Sequence, residues 1–237
     1  MRGRSGFTLT ELLVVLGVAA VLAALFFPGL ATSHRASNER AASIHLKTIA
    51  SAEADFHMND RDGNGVTDFW TGDLKGLYTM TSALELRELG TSRMIRLIEL
   101  EVAASDADGR FVPAGGLNRH LEPLARPGPR TGYWIVPLER DRSDGRPPGV
   151  AYRQDTGGSP RMGACHHLGK FGFCAVPASR SAGKYSFIIN ENNSIFRCAL
   201  DRNVLSSDEY PPGLDAVSPE FRNWPSDLER RDHWGTA

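Results

Sequence analysis

An excess of charge of either sign is missing from this sequence. Its 27 basic residues face 28 acidic ones, for a formal net charge of -1, so the bulk charge selects neither a nucleic acid nor an acidic surface. Cysteine is scarce: Cys165, Cys174 and Cys198 all fall in the C-terminal third, and an odd count of thiols establishes no disulfide framework. No Walker loop, dinucleotide fingerprint or G-x-S-x-G nucleophile elbow occurs. Cys165-His166-His167 with Cys174 lacks a standard structural-zinc spacing. A Cys174–Cys198 disulfide is the other use open to those thiols in an exported chain. Also absent is an A-x-A-like site closing the apolar stretch near the N-terminus, as a secretory signal would have. No catalytic constellation is left, which favours a structural or binding role.

What is present is hydrophobicity concentrated at one end. Met1 to Gly6 carries Arg2 and Arg4 and no acid, and from Leu12 to Ala31 no residue is charged. That run is about the 20 residues a helix needs to cross roughly 30 Å of hydrocarbon, with a basic flank that stays cytoplasmic. Glu11 sits at its leading edge. A carboxylate at membrane depth costs a few kcal/mol, so Glu11 either rests at the headgroup boundary or has a partner.

The order Gly6-Phe7-Thr8-Leu9-Thr10-Glu11, followed by Leu12-Leu13-Val14-Val15, resembles the cleavage and methylation motif of type IV prepilins and type II secretion pseudopilins. The resemblance covers about 30 residues. It implies that a prepilin peptidase cuts after Gly6 and methylates Phe7 as the new N-terminus. Loss of Arg2 and Arg4 takes the formal charge from -1 to -3 (-1 - 2). It also implies that Glu11 pairs, in a filament, with the Phe7 amine of a neighbour, because a buried charge is tolerable only when paired. Pro28 matches a proline common in the first helix of these subunits.

Past Pro28-Gly29 the chain turns polar but keeps a helical period. Leu46, Ile49 and Phe56, with Ala42 a turn earlier, form an apolar stripe opposite Arg40, Lys47 and Asp55. A helix from Phe7 to Met58 would span about 78 Å, kinked or locally opened at Pro28. Two helices joined near Pro28-Gly29 are the alternative.

The next segment, Asp60-Arg61-Asp62-Gly63-Asn64-Gly65-Val66-Thr67-Asp68, places oxygen side chains at alternating positions. Asp60, Asp62, Asn64, the Val66 carbonyl and Asp68 match the first nine positions of a calcium loop, with Gly65 at the sharp turn. Thr71 stands where an EF-hand has its bidentate Glu, and Asp73 follows two residues later. The reading is a structural calcium ion pinning the helix end to a head; an Asp/Asn/Gly turn stabilised by Asx bonds is the alternative.

In the head, Phe69, Trp70, Leu74, Leu77, Tyr78 and Met80 are expected against the helix. A capping box opens a short helix over Ser82 to Leu89, and a second helical run covers Met94 to Ala104. Thr131 to Leu138 reads as a strand whose Pro137 suggests an edge or a strand end. Phe171 to Val176, Tyr185 to Ile189 and Ser194 to Cys198 read as core strands, the last two joined by an Asn190-Glu191-Asn192-Asn193 turn. Glu139 to Gly163 reads as an exposed, mobile insertion. Arg126, Arg130, Arg140, Arg142 and Arg146 make the loops there locally basic, which is ordinary for a solvated surface. Ser206 to Ala237 reads as an irregular tail.

The expected fold is α+β and pilin-like: a long N-terminal α-helix, its front half membrane-spanning and its rear half packed on a small antiparallel β-sheet head. The expected organisation is a leader over 1–6, a membrane and filament-core helix over 7–31, its amphipathic continuation over 32–59, and a head over 60–237 with a calcium loop at 60–73 and the insertion at 139–163. The resemblance implies a non-catalytic subunit of a type II secretion pseudopilus or type IV pilus-like filament. Its partners would be prepilin peptidase, other subunits, an inner-membrane assembly platform and the membrane, not nucleic acid. It would sit as a single-pass inner-membrane protein with its head in the periplasm or exterior, and then in the filament. The competing function is a minor or tip pilin whose enlarged head binds secreted substrate, DNA or carbohydrate.

Overall fold

The computed structural model of the chain describes residues 7–61, 65–81, 94–106, 128–143, 149–152, 166–200, 223–225 and 234–236. Leu9–Asn59 form one 51-residue helix, α1, about 76 Å long at 1.5 Å per residue. It runs unbroken through Pro28-Gly29, which removes the two-helix alternative. It ends at Asp60, whose left-handed backbone (φ 44°, ψ 58°) turns the chain while its N–H still bonds Phe56 O.

The rear half of α1 is buried at the spacing that its sequence carries. Ala42, Leu46, Ile49 and Phe56 are fully buried, while the described large apolar residues of the front half are exposed. From Phe7 to Leu30 the described large apolar side chains expose 49–79% of their surface. At about 1.5–3 kcal/mol for each such side chain fully removed from water, covering this surface is worth on the order of 10–20 kcal/mol.

The head is built on a five-stranded antiparallel sheet. Tyr133–Pro137 (β4), Gly172–Pro177 (β8), Tyr185–Asn190 (β9), Ile195–Ala199 (β10) and Trp234–Thr236 (β12) lie in the order β12-β10-β9-β8-β4. β4 is an edge strand, as Pro137 requires. Alternation sorts its residues. Ile135, Phe173, Ala175, Phe187 and Ile189 pack towards the buried face of α1. Val136, Cys174, Val176 and Ile188 face the other way. The β9–β10 turn has the expected asparagine chemistry: Asn193 takes a φ of 55°, and Lys47 of α1 donates to its carbonyl and, at 3.0 Å, to its Oδ1.

Between helix and sheet come Phe69–Trp70 (β1), Leu74–Thr79 (α2), Met80–Thr81 (β2), Met94–Ile95 (β3) and Leu100–Ala104 (α3). Leu74, Leu77 and Tyr78 enter the core, with Phe69 and Trp70 packed against it. The helical run expected over Met94 to Ala104 is helical only at Leu100–Ala104 and begins as a two-residue strand. Met94–Ile95 pair with Met80–Thr81, and Leu97 N–H bonds Leu77 O at 2.9 Å, so partners outside the segment take the amides a helix would have used. The helix expected over Ser82 to Leu89 lies outside the described residues.

Of the stretch read as an exposed insertion, the described residues include paired strands. Arg140–Asp141 (β5) and Val150–Ala151 (β6) pair antiparallel, and Asn223–Trp224 (β11) joins β5 in parallel. Leu138, Tyr152 and Trp224 are buried on the sheet's second face. Two aromatic rings and a leucine on an apolar sheet gain too much by burial to stay in water. The described residues of 139–163 therefore form a lid on the sheet, and part of the C-terminal tail completes it. His166–His167 (β7) pairs with β1.

Candidate functional site

The front end of α1 is organised around Thr8 and Glu11. Thr8 is the N-cap, in extended conformation, and its Oγ1 accepts the Glu11 N–H at 3.2 Å. In return Glu11 Oε2 accepts the Thr8 N–H at 2.9 Å and the Thr8 hydroxyl at 2.8 Å. This is a complete capping box, legible as Thr-x-x-Glu but not recognised from the sequence. It points the Glu11 carboxylate back past the helix N-terminus, on the side of Phe7, whose side chain is exposed. Gly6 lies outside the described residues.

The other end of α1 enters the loop read as a calcium site. Asp60 Oδ2 accepts the Gly65 N–H at 2.9 Å, and Gly65 has a φ of 80°, so the loop closes on itself through an Asx-type bond. Asp68 is almost fully buried, and Val66 is half-buried between them. Asp62 and Asn64 lie outside the described residues. Arg61 is held away by a two-pronged pair with Asp55 at 2.8 and 2.9 Å. Among the described residues no three His, Cys, Asp or Glu side chains come together as a metal-holding group.

One residue beside this loop was missed. Glu53 is fully buried, and its Oε2 accepts the Trp70 N–H at 2.9 Å. Burial pushes its carboxyl well above the usual range, the Trp70 bond opposes this, and the Asp68 carboxyl adds to the rise. The signal was present: Ile49, Glu53 and Phe56 share one helical face, so the apolar stripe carries a carboxylate. Trp70 is fixed further by Nε1–H bonds to the Asp73 carbonyl and Oδ1 at 3.0 and 3.1 Å. Its ring covers Gly76, where a Cβ would lie 2.0 Å from ring carbons.

The Cys174–Cys198 disulfide is corrected. The structure does not join them to each other. Cys174 on β8 pairs with Ile188 on β9, which pairs with Phe196 on β10, two residues from Cys198. A whole strand therefore separates the thiols, about 10 Å at the usual strand spacing, beyond the roughly 7 Å Cα limit for a disulfide. Cys165 lies outside the described residues, as do Arg126 and Arg146. Arg140 is in β5 rather than a solvated loop, and its guanidinium donates to Gly149 O.

A membrane-length apolar helix with a capped carboxylate at its start, followed by an antiparallel head, is a pilin-like α+β layout. Residues 1–27 match the family model of the prokaryotic N-terminal methylation motif, the type IV pilin/pseudopilin signature. The motif implies processing by prepilin peptidase and assembly with other pilin subunits. No curated protein and no solved structure matches the chain.

Proposed function

We propose that this protein is a non-catalytic structural subunit of a type II secretion pseudopilus or type IV pilus-like filament. In this reading it is cut after Gly6, methylated on Phe7, held in the inner membrane with its head outside, and assembled by helix packing on an assembly platform. The observation that carries it is the bare front half of α1 with Glu11 at its cap. That apolar surface needs lipid first and other helices afterwards. A carboxylate moved into the helix bundle needs a cation, and the Phe7 amine of a neighbour supplies one.

Mass spectrometry of the mature chain tests the processing step. A chain beginning at N-methylated Phe7 is expected; a retained Met1 or a cut after Ala24 would overturn it. Glu11→Ala should be processed normally yet fail to enter filaments. Normal incorporation of that variant would defeat the pairing.

The same reading gives the 60–73 loop a structural calcium ion held by Asp60, Asp62, Asn64, the Val66 carbonyl and Asp68. The Asp60–Gly65 closure and the buried position of Asp68 support it. The ion would neutralise loop carboxylates and tie the end of α1 to the head. Millimolar calcium should raise the melting temperature of the full chain; an unchanged melting temperature removes the ion.

A further inference from the structure

His167 holds a turn together with its side chain. Its Nδ1 accepts the backbone N–H of Gly169 and of Lys170, each at 3.0 Å. A ring nitrogen that accepts hydrogen bonds carries no proton, so the neutral imidazole has its hydrogen on Nε2. Nε2 is buried and has no hydrogen-bond partner among the described residues. The ring stands edge-on to Tyr152, with centroids 6.5 Å apart. A second proton has only Nδ1 to go to, where it would meet two N–H donors head-on.

This turn sits where three parts of the head meet. His167 pairs with Phe69 of β1. Phe69 stacks on His57 of α1 at 4.3 Å, and the next residue, Trp70, bonds Glu53. On the far side, the Lys170 ammonium reaches Asp141 of β5, in the lid over the sheet. The turn thus links the end of the long helix to the lid through one titratable acceptor.

We infer that the His167–Lys170 turn is an acid-opened latch: protonation of Nδ1 releases the Gly169 and Lys170 amides and loosens the joint between the β1–β7 pair and the Asp141–Lys170 bridge. The inference stands whether or not the chain enters a filament. The charged and titratable groups around the ring are Lys170 in its own turn, Asp141 from β5 and Tyr152 beyond β6. Glu191, in the β9–β10 turn, acts on the same Lys170–Asp141 pair. Burial and Lys170 hold the imidazole below its ordinary range, against the pull of Asp141. A depressed folded value means that the open state binds more protons, so the latch weakens as pH falls from about 6.5 towards the folded value and no further below it.

The test is amide exchange in the full-length protein in detergent micelles, corrected for the intrinsic pH dependence of exchange. The wild-type chain should lose protection at Gly169 and Lys170 by about tenfold per pH unit in that window. His167→Asn keeps a side-chain oxygen able to accept the same two amides but cannot titrate, so its protection should stay flat. Glu191→Gln should still show the loss, which separates His167 from the nearest carboxylate. Flat protection in the wild type, or an equal loss in H167N, overturns the latch. Should H167N fail to fold, the ring nitrogen shifts of wild-type His167 decide alone: a proton on Nδ1 at pH 7.5 overturns it, and a proton on Nε2 with Nδ1 titrating below 6.5 upholds it.

Discussion

The backbone N–H of Trp70 donates to Glu53 Oε2 across 2.9 Å, which ties the first strand after the loop to the buried face of the long helix. Burial holds the Glu53 carboxyl well above the usual range, so the folded state keeps its proton at pH values where an unfolded chain has lost it. Stability from this group is present below about pH 4.5 and declines as pH rises above it.

Glu53→Gln keeps the acceptor for Trp70 and removes that decline. Its melting temperature at pH 7.5 should equal or exceed the wild type. Glu53→Ala strands the Trp70 amide and opens a void, and should cost about 2–4 kcal/mol. Denaturant melts of the two variants check this, and an alanine variant as stable as the wild type would refute it.

Gly76 lies under the Trp70 ring, with space for no Cβ. Gly76→Ala should lose about 1–3 kcal/mol through displacement of the indole from Phe56 and from Asp73. Gly169→Ala, where a Cβ meets nothing within 4 Å, is the matched control and should melt like the wild type.

Thr8 caps α1 and orients Glu11 through its hydroxyl. Thr8→Ala should fray the first turn, at a cost of about 0.5–2 kcal/mol, and Thr8→Ser should restore it. Amide exchange at Glu11 and Leu12 in micelles reads the difference. Equal protection in the Ala and Ser variants would show that the cap does not hold the turn.

Cys174 and Cys198 should be recovered as thiols from protein prepared without reductant, with no peptide linking them. Burial pushes the Cys198 thiol up to about 11, so at pH 8 it should alkylate far more slowly in the folded chain than in urea. Equal rates in the two conditions would contradict its burial beside Phe196 and Trp224.

Local pattern accounts for what was readable early. Gly6, Phe7 and Glu11 mark the N-terminal methylation motif by their order, and the uncharged run behind them defines a membrane-length helix by length. Ala42, Leu46, Ile49 and Phe56 revealed the buried stripe because a helix repeats every 3.6 residues. The Asn-rich turn and the edge role of Pro137 followed from backbone chemistry within a few residues.

What stayed hidden depended on partners far away in the chain. Met94 and Ile95 have the apolar character of a helix start, but Met80 and Thr81 offer them a ladder instead. The charged stretch after Leu138 looked solvated, yet Tyr152 and Trp224 anchor it on the sheet. The two thiols share a face, and only the strand order shows that β9 runs between them. Residue order by itself determined the methylation motif, the long helix and its buried stripe, because those patterns close within a turn or two. Tertiary structure alone decided the lid, the separation of the two thiols and the His167 turn: each rests on strand pairings between segments far apart in the chain, in three different sheets.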